Sequence, residues 1–250
     1  MSLVFEPFLL SLIAGMATGI GGIIVLLLRK LSNRAMGFLM GFASGVMLMV
    51  SFNNLFLEAV TLLTHLELTV MFSLGALIML ALDLILPHIE LTASKEEKGD
   101  TKMFRSGLLI AIGITLHNLP EGLAVTAGYN YVPRLGFIIA FAIALHNIPE
   151  GIATAIPLTE ARMKPSKIAI LTFLSGMAEP IGALFGTFAF SLLGTKSAID
   201  SSLAFTAGVM TYITADELVP IAHKYGYKHT VSIGILIGII FALMIDAILS

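Results

Sequence analysis

Long apolar runs separated by short polar connections dominate the chain. A helix needs about 20 apolar residues to cross the hydrocarbon core of a membrane, and eight runs reach that length. The pattern predicts an all-α fold, a polytopic membrane protein whose eight helices form one transmembrane domain over residues 1–250. The predicted spans cover about 5–29, 34–57, 67–88, 104–129, 134–158, 166–193, 199–223 and 229–249.

The composition supports this class. Hydrophobic residues make up 57% of the chain and charged residues 12%, with a mean hydropathy of +0.98, whereas a soluble domain has about 25% charged residues. The first apolar run is followed by a polar turn and a second run, so it is predicted to be a retained span and not a cleaved signal. The absence of cysteine excludes disulfides and thiolate metal sites.

The basic residues predict the orientation of the chain. Apart from Arg134 and Lys196, all 14 lysines and arginines lie in or beside alternate connections. Because basic residues concentrate in cytoplasmic loops, both termini are predicted to lie outside and the polar 89–103 loop in the cytoplasm. The expected location is the cell (plasma or inner) membrane, in contact with lipid.

The first three predicted spans resemble the last three, and spans four and five resemble each other. The members of each pair cross in opposite directions, which indicates an inverted repeat with a site near mid-membrane at the repeat interface. The alignment sets Thr18 against Glu179, and Asn53 and Asn54 against Asp216 and Glu217. The matching segments are 14–22 with 175–183, 44–58 with 207–221, and "SLGALI" (73–78) with "SIGILI" (232–237).

Spans four and five carry the same polar motif, "LHNLPEG" at 116–122 and "LHNIPEG" at 145–151. Residues three and four apart share one face of a helix. The histidine, asparagine and glutamate of each motif therefore lie on one face of their helix. The residues concerned are His117, Asn118 and Glu121 in span four, and His146, Asn147 and Glu150 in span five.

Each motif also contains a proline, Pro120 or Pro149, and span six has Glu179 followed by Pro180. Proline lacks an N–H and interrupts helical hydrogen bonding, so these three prolines are predicted helix breaks that kink their spans. Each break lies beside a glutamate in mid-span.

Three intramembrane glutamates with no neighbouring intramembrane lysine or arginine require cations from elsewhere. A bound divalent metal supplies them, and nitrogen and oxygen donors without sulfur suit Zn²⁺, Fe²⁺, Mn²⁺ and Co²⁺. A proton relay through the same histidines and glutamates is the alternative, although it has no need of two asparagines.

Further polar residues lie towards the ends of the spans and outline a path. A cytoplasmic exit is predicted from Asp83, His88, Asp216, Glu217 and His223. An outer entrance is predicted from Asn53, Asn54 and Glu58, with His65 nearby. Solvated interfacial side chains are the alternative interpretation, above all for Glu58 and the terminal histidines.

The chain resembles the ZIP (Zrt/Irt-like) family of metal transporters, most closely its prokaryotic ZupT-like branch. The resemblance covers essentially the whole chain and rests on the two HN-x-PEG motifs, "GMAEPIG", "ADELVP" and "LDLILPH". It implies eight spans, outward-facing termini and a two-metal centre between spans four, five and six. The 89–103 loop departs from the family in lacking a histidine cluster.

The resemblance also implies which residues hold each metal. One metal would be bound by His117, Glu121, His146 and Glu150. The second would be bound by Asn118, Glu121, Asn147, Glu150 and Glu179, with both shared glutamates bridging.

Together these features predict an importer of divalent metals, with zinc, iron, manganese, cobalt and cadmium as substrates, working by alternating access. No catalytic residue or cofactor is expected, no nucleic acid is a partner, and the family suggests a homodimer. Two alternatives remain, an intramembrane metallohydrolase and a proton-coupled carrier of a small solute.

Overall fold

The computed structural model describes residues 2–28, 31–85, 99–193, 196–225 and 227–249, and within these ranges the fold is all-helical. The chain is a polytopic membrane protein. The helices are α1 (Ser2–Leu28), α2 (Asn33–Leu62), α3 (His65–Ile85), α4 (Gly99–Tyr131), α5 (Pro133–Glu160), α6 (Pro165–Gly176 and Ala178–Leu193), α7 (196–224) and α8 (Lys228–Leu249).

Three helices differ in type or length from the prediction. Helix α4 begins at Gly99, so the last residues of the predicted 89–103 loop are helical. Helices α2 and α7 each contain a π-helical segment, Val50–Phe56 and Thr214–Leu218, which the sequence pattern did not predict. These segments contain the two aligned polar pairs, Asn53 with Asn54 and Asp216 with Glu217, and π-helical turns are common at functional sites.

The prolines affect their helices differently. Helix α4 continues through Pro120 and α5 through Pro149, so neither proline ends its helix, and a kink at either stays a prediction. Helix α6 is interrupted at Met177, shortly before Pro180. Pro180 lies in the first turn of the second part of α6, where a missing N–H has no intrahelical partner to lose.

The helices pack in two groups. Helices α1, α4, α5 and α6 contact one another, while α2 packs against α8 and α3 packs against α7. The first group contains both motifs and Glu179, which places the predicted ligands inside one bundle.

Glycines set the closest approaches in the first group. A Cβ added at Gly151 of α5 would overlap the carbonyl oxygen of Thr18 in α1, and one added at Gly122 of α4 would overlap that of Glu179 in α6. Small residues allow such close packing between membrane helices. These two contacts are equivalent under the inverted repeat, because Thr18 aligns with Glu179 and Gly151 with Gly122.

The second group has mirrored contacts as well. A Cβ at Gly45 would overlap the Ile235 carbonyl, and one at Gly208 would overlap the Phe72 carbonyl. The sequence offset that relates Gly45 to Gly208 also relates Gly75 to Gly238. A Cβ at Gly75 would overlap the Phe205 carbonyl, and one at Gly238 would overlap the Phe42 carbonyl. The match of "SLGALI" with "SIGILI" therefore has the wrong register by one helical turn, because Gly238 and not Gly234 has the contacts that mirror those of Gly75.

Six helical segments are long and apolar enough to cross a membrane, within the parts of the chain that the structure describes. The two predicted spans that do not meet this criterion are 104–129 and 199–223, which lie in α4 and α7. Both carry polar residues and pack among the other helices. The six segments are Val4–Leu28, Asn33–Leu62, His65–Leu84, Pro133–Glu160, Pro165–Leu192 and Lys228–Ile248.

Candidate metal centre

Helices α4, α5 and α6 bring all the predicted metal ligands into the interior. None of these side chains belongs to a residue more than 3% exposed, although three are glutamates. An ionised carboxylate is unstable in such surroundings unless a cation or strong hydrogen bonds stabilise it. The buried residues are His117, Asn118, Glu121, His146, Asn147, Glu150 and Glu179.

Three of these residues form a compact cluster. Ligand atoms of Glu121, His146 and Glu150 all lie within 4.8 Å of one another. The His146 Nε2 atom lies 3.0 Å from Glu121 Oε1. Two helices thus contribute to one group of donors, as the repeated motif predicted.

The second nitrogen of His146 has a structural partner. Nδ1 lies 3.2 Å from the Ala142 carbonyl oxygen, one turn earlier in α5. Because a carbonyl oxygen only accepts, this hydrogen bond requires the proton on Nδ1. Nε2 can then present its lone pair to a metal, an arrangement typical of metal-binding histidines.

The two asparagines are held by equivalent hydrogen bonds. Asn118 Nδ2 donates to the Ser175 carbonyl at 2.9 Å, and Asn147 Nδ2 donates to the Ala14 carbonyl at 3.0 Å. Asn147 Nδ2 also donates to Glu179 Oε1. Since both amide nitrogens are engaged, both Oδ1 atoms remain to accept from a donor or to bind a cation.

Unpaired oxygens are concentrated in the centre. Buried side-chain oxygens nearly always have a hydrogen-bond partner in a native structure. Six oxygens here contact no donor among the described residues, and all of them are acceptors that a divalent cation can bind. They are Asn118 Oδ1, Glu121 Oε2, Asn147 Oδ1, Glu150 Oε1, Glu150 Oε2 and Glu179 Oε2.

His117 has a different partner from His146. Its Nε2 lies 3.0 Å from Glu217 Oε1 in the π-helical segment of α7. Glu217 was predicted in the exit path, and its contact with His117 brings it to the edge of the centre. The sequence signal was present, because Glu217 is an intramembrane carboxylate within "ADELVP".

The remaining predicted exit residues lie towards the C-terminal ends of α3 and α7 or beyond them in the sequence. Tyr212 donates its hydroxyl to Asp83 Oδ2 at 3.1 Å. Asp216 and His223 are exposed, and His88 lies outside the described residues. Asp83 and Asp216 thus share a contact with Tyr212, while Glu217 contacts His117.

The predicted entrance residues lie elsewhere in the fold and have a partner that the sequence reading missed. Asn53 Nδ2 donates to Asp246 Oδ2 at 3.0 Å, and Asn54 Nδ2 donates to Asp246 Oδ1 at 3.1 Å. The repeat offset that relates Asn53 to Asp216 also relates Asp83 to Asp246. Glu58 is half-buried and His65 is exposed.

Comparisons with known proteins agree with these features. Residues 87–246 match the family described as ZIP zinc transporter. The protein "Zinc transporter ZupT" of Streptococcus mutans is 35% identical over 94% of this chain and 94% of its own length. Its namesake in Chlorobaculum parvum is 37% identical over 97% of this chain and 96% of its own. The one in Chlorobium luteolum is 39% identical over 92% of each.

Proposed function

The chain belongs to the ZIP zinc transporter family, and on this premise we propose that it carries divalent metal cations, zinc foremost, across the membrane into the cytoplasm. The observation that carries the proposal is the set of buried, unpaired oxygens beside the cluster of Glu121, His146 and Glu150. Buried acceptors that include several carboxylate oxygens and face no donor are stabilised most strongly by a cation. The curated relatives named as zinc transporters support the choice of metal.

The proposed centre has two metal positions. Glu121, His146 and Glu150, with His117 as a further donor, bind the first ion. Asn118, Asn147 and Glu179 bind the second ion together with the two shared glutamates. Ligands without sulfur do not select sharply among first-row metals, so iron, manganese, cobalt and cadmium are further proposed substrates.

The path inward begins at Glu217. Its contact with His117 supports a transfer of the ion from the centre to α7, and from there past Asp83 and Asp216 to the cytoplasmic side. Alternating exposure of the centre requires one helix group to move against the other. The division into α1, α4, α5 and α6 on one side and α2, α3, α7 and α8 on the other supports such a motion. Carrying an ion makes and breaks no covalent bond, so no catalytic cofactor is proposed.

Zinc uptake into proteoliposomes that contain a zinc-sensing dye tests this function. We expect rapid uptake by the wild type and at least a tenfold loss in the double variant Glu121→Gln with Glu150→Gln, since roughly this factor follows the loss of metal-binding groups. The matched control is Glu67→Gln with Glu160→Gln, which changes two exposed glutamates. Absence of uptake by the wild type, or equal uptake by the double variant, would contradict the proposal.

The same vesicles distinguish metal transport from the main alternative, a proton-coupled carrier of a small solute. A proton-coupled carrier would change the pH of the vesicle interior as it carries its solute, even when a chelator has removed the metal. A metal transporter shows ion movement only when metal is supplied. Uptake of a solute that survives chelation would replace the metal proposal with the proton-coupled one.

A further inference from the structure

Thr18 occupies the position in α1 that mirrors Glu179 in α6. Asn118 donates to Ser175, the carbonyl one turn before Glu179, and Asn147 donates to Ala14, the carbonyl one turn before Thr18. The glycine contacts are paired in the same way, with Gly122 against Glu179 and Gly151 against Thr18. The backbone around the centre therefore follows the inverted repeat on both sides.

The side chains at the mirrored positions break this symmetry. Glu179 reaches across to Asn147 on α5, and its second oxygen has no donor. Thr18 has a short hydroxyl in place of a long carboxylate. One side of the centre thus has a negative charge and the other has a neutral group that can both donate and accept.

The Thr18 hydroxyl is buried without a partner. The residue is 0% exposed, and Oγ1 contacts no hydrogen-bond partner among the described residues. Asn118 is the repeat equivalent of Asn147, whose Nδ2 donates to Glu179, and Asn118 Oδ1 is also unpaired among the described residues. A threonine side chain is shorter than glutamate by two atoms, a difference comparable to the diameter of a water molecule.

We propose that Thr18 is a positioning residue that holds a water molecule on the second metal, at the place where the repeat would otherwise put a second Glu179. This inference rests on the proposed function. A hydroxyl can accept from the bound water while Asn118 Oδ1 binds the ion directly. The ion then stays partly hydrated on the Thr18 side.

This arrangement suits a transport site. An ion that is to pass through must bind well enough to enter and weakly enough to leave. A second carboxylate at position 18 would add charge and complete the coordination by protein atoms, which would slow release. The hydroxyl keeps one coordination position exchangeable.

The test measures zinc binding to the purified full-length protein by equilibrium dialysis, and thermal unfolding in the presence of a chelator. Thr18→Val preserves the shape of the side chain and removes the hydroxyl. We expect the zinc affinity of the second position to fall about tenfold, which is the size of effect seen when a partner of a metal ligand is lost. Thr18→Ser keeps the hydroxyl and is expected to bind zinc as the wild type does.

The matched control is Thr206→Val. Thr206 in α7 is also 0% exposed with an unpaired hydroxyl, and it lies outside the group of helices that forms the centre. We expect this variant to keep full zinc affinity. Both valine variants are expected to unfold at the wild-type temperature in chelator, because neither hydroxyl has a hydrogen-bond partner among the described residues. Thr18→Ala is the second variant if Thr18→Val does not fold.

Equal zinc affinity in Thr18→Val and the wild type would overturn this inference alone. An equal loss in Thr206→Val, or a loss in Thr18→Ser as large as in Thr18→Val, would also overturn it by showing a packing effect. Absence of zinc binding by the wild type would overturn the proposed function itself, and this inference with it.

Discussion

The imidazole of His117 lies 3.0 Å from the Glu217 carboxylate and outside the compact cluster of Glu121, His146 and Glu150. Helical spacing predicted that His117 and Glu121 share a face, because that follows from the geometry of one helix. Which residue of another helix faces His117 depends on packing between helices. The sequence therefore predicted which residues share a helix face but not the partner that each one has on another helix.

Replacement of Glu217 by glutamine tests its place on the path. The amide keeps the size of the side chain and loses the charge that would attract an ion from the centre. We expect zinc uptake to slow by roughly tenfold, with a smaller change in zinc affinity at equilibrium, because on the proposed path Glu217 takes up the ion after the centre releases it. Uptake kinetics and equilibrium dialysis measure the two quantities, with Glu160→Gln as the control.

The contact of Asn53 and Asn54 with Asp246 shows a different limit of sequence reasoning. Asp246 lies near the end of an apolar run, where a carboxylate is readily interpreted as an interfacial group. The equivalence of Asp246 to Asp83 becomes visible only when the sequence offset between the two repeats is known. The correct offset depended on the register of α3 and α8, and the similar "SLGALI" and "SIGILI" segments favoured a register that the glycine contacts show to be wrong.

At the scale of the helices, the described part of each predicted apolar segment is helical apart from the interruption at Met177, but the internal irregularities of the helices were not predictable. A π-helical segment has nearly the same apolar and polar pattern as an α-helix, so Val50–Phe56 and Thr214–Leu218 leave no periodicity signal. Proline is the opposite case. It predicted helix breaks with kinks at Pro120 and Pro149, and both helices continue through these residues.

The contact between α1 and α5 gives a prediction about stability. A Cβ at Gly151 would overlap the Thr18 carbonyl, whereas a Cβ at Gly37 would meet Val231 Cγ2 at 3.3 Å, a flexible side-chain atom. Both changes to alanine favour the helix equally. We expect Gly151→Ala to lower Tm by roughly 2–12 °C relative to Gly37→Ala, from an overpacking cost of about 1–3 kcal/mol.

Thermal unfolding of the two variants in the same detergent measures this difference. A Gly151→Ala protein as stable as Gly37→Ala would show that α1 and α5 separate without cost. In that case, the close backbone approach beside Thr18 would not be a constraint on the centre.

At the scale of the whole molecule, the count of eight spans and their orientation depend on α4 and α7. Both helices contain polar residues in mid-span and pack against other helices. Six segments meet the length and hydropathy criterion for a span among the residues that the structure describes. Helices α4 and α7 are predicted to cross because connections rich in basic residues alternate with connections that have few, which places successive connections on opposite sides of the membrane.

Single cysteines test the topology directly, since the chain has none of its own. We expect a membrane-impermeant maleimide to label Val132→Cys and Ser197→Cys in intact cells, because both positions are predicted outside. Ser94→Cys and Tyr227→Cys, on the far sides of α4 and α7, should be labelled only after permeabilisation. Labelling of Ser94→Cys and Val132→Cys from the same side would mean that α4 does not cross. The same result for Ser197→Cys and Tyr227→Cys would mean that α7 does not cross, and in either case the proposed path past Glu217 would need another route.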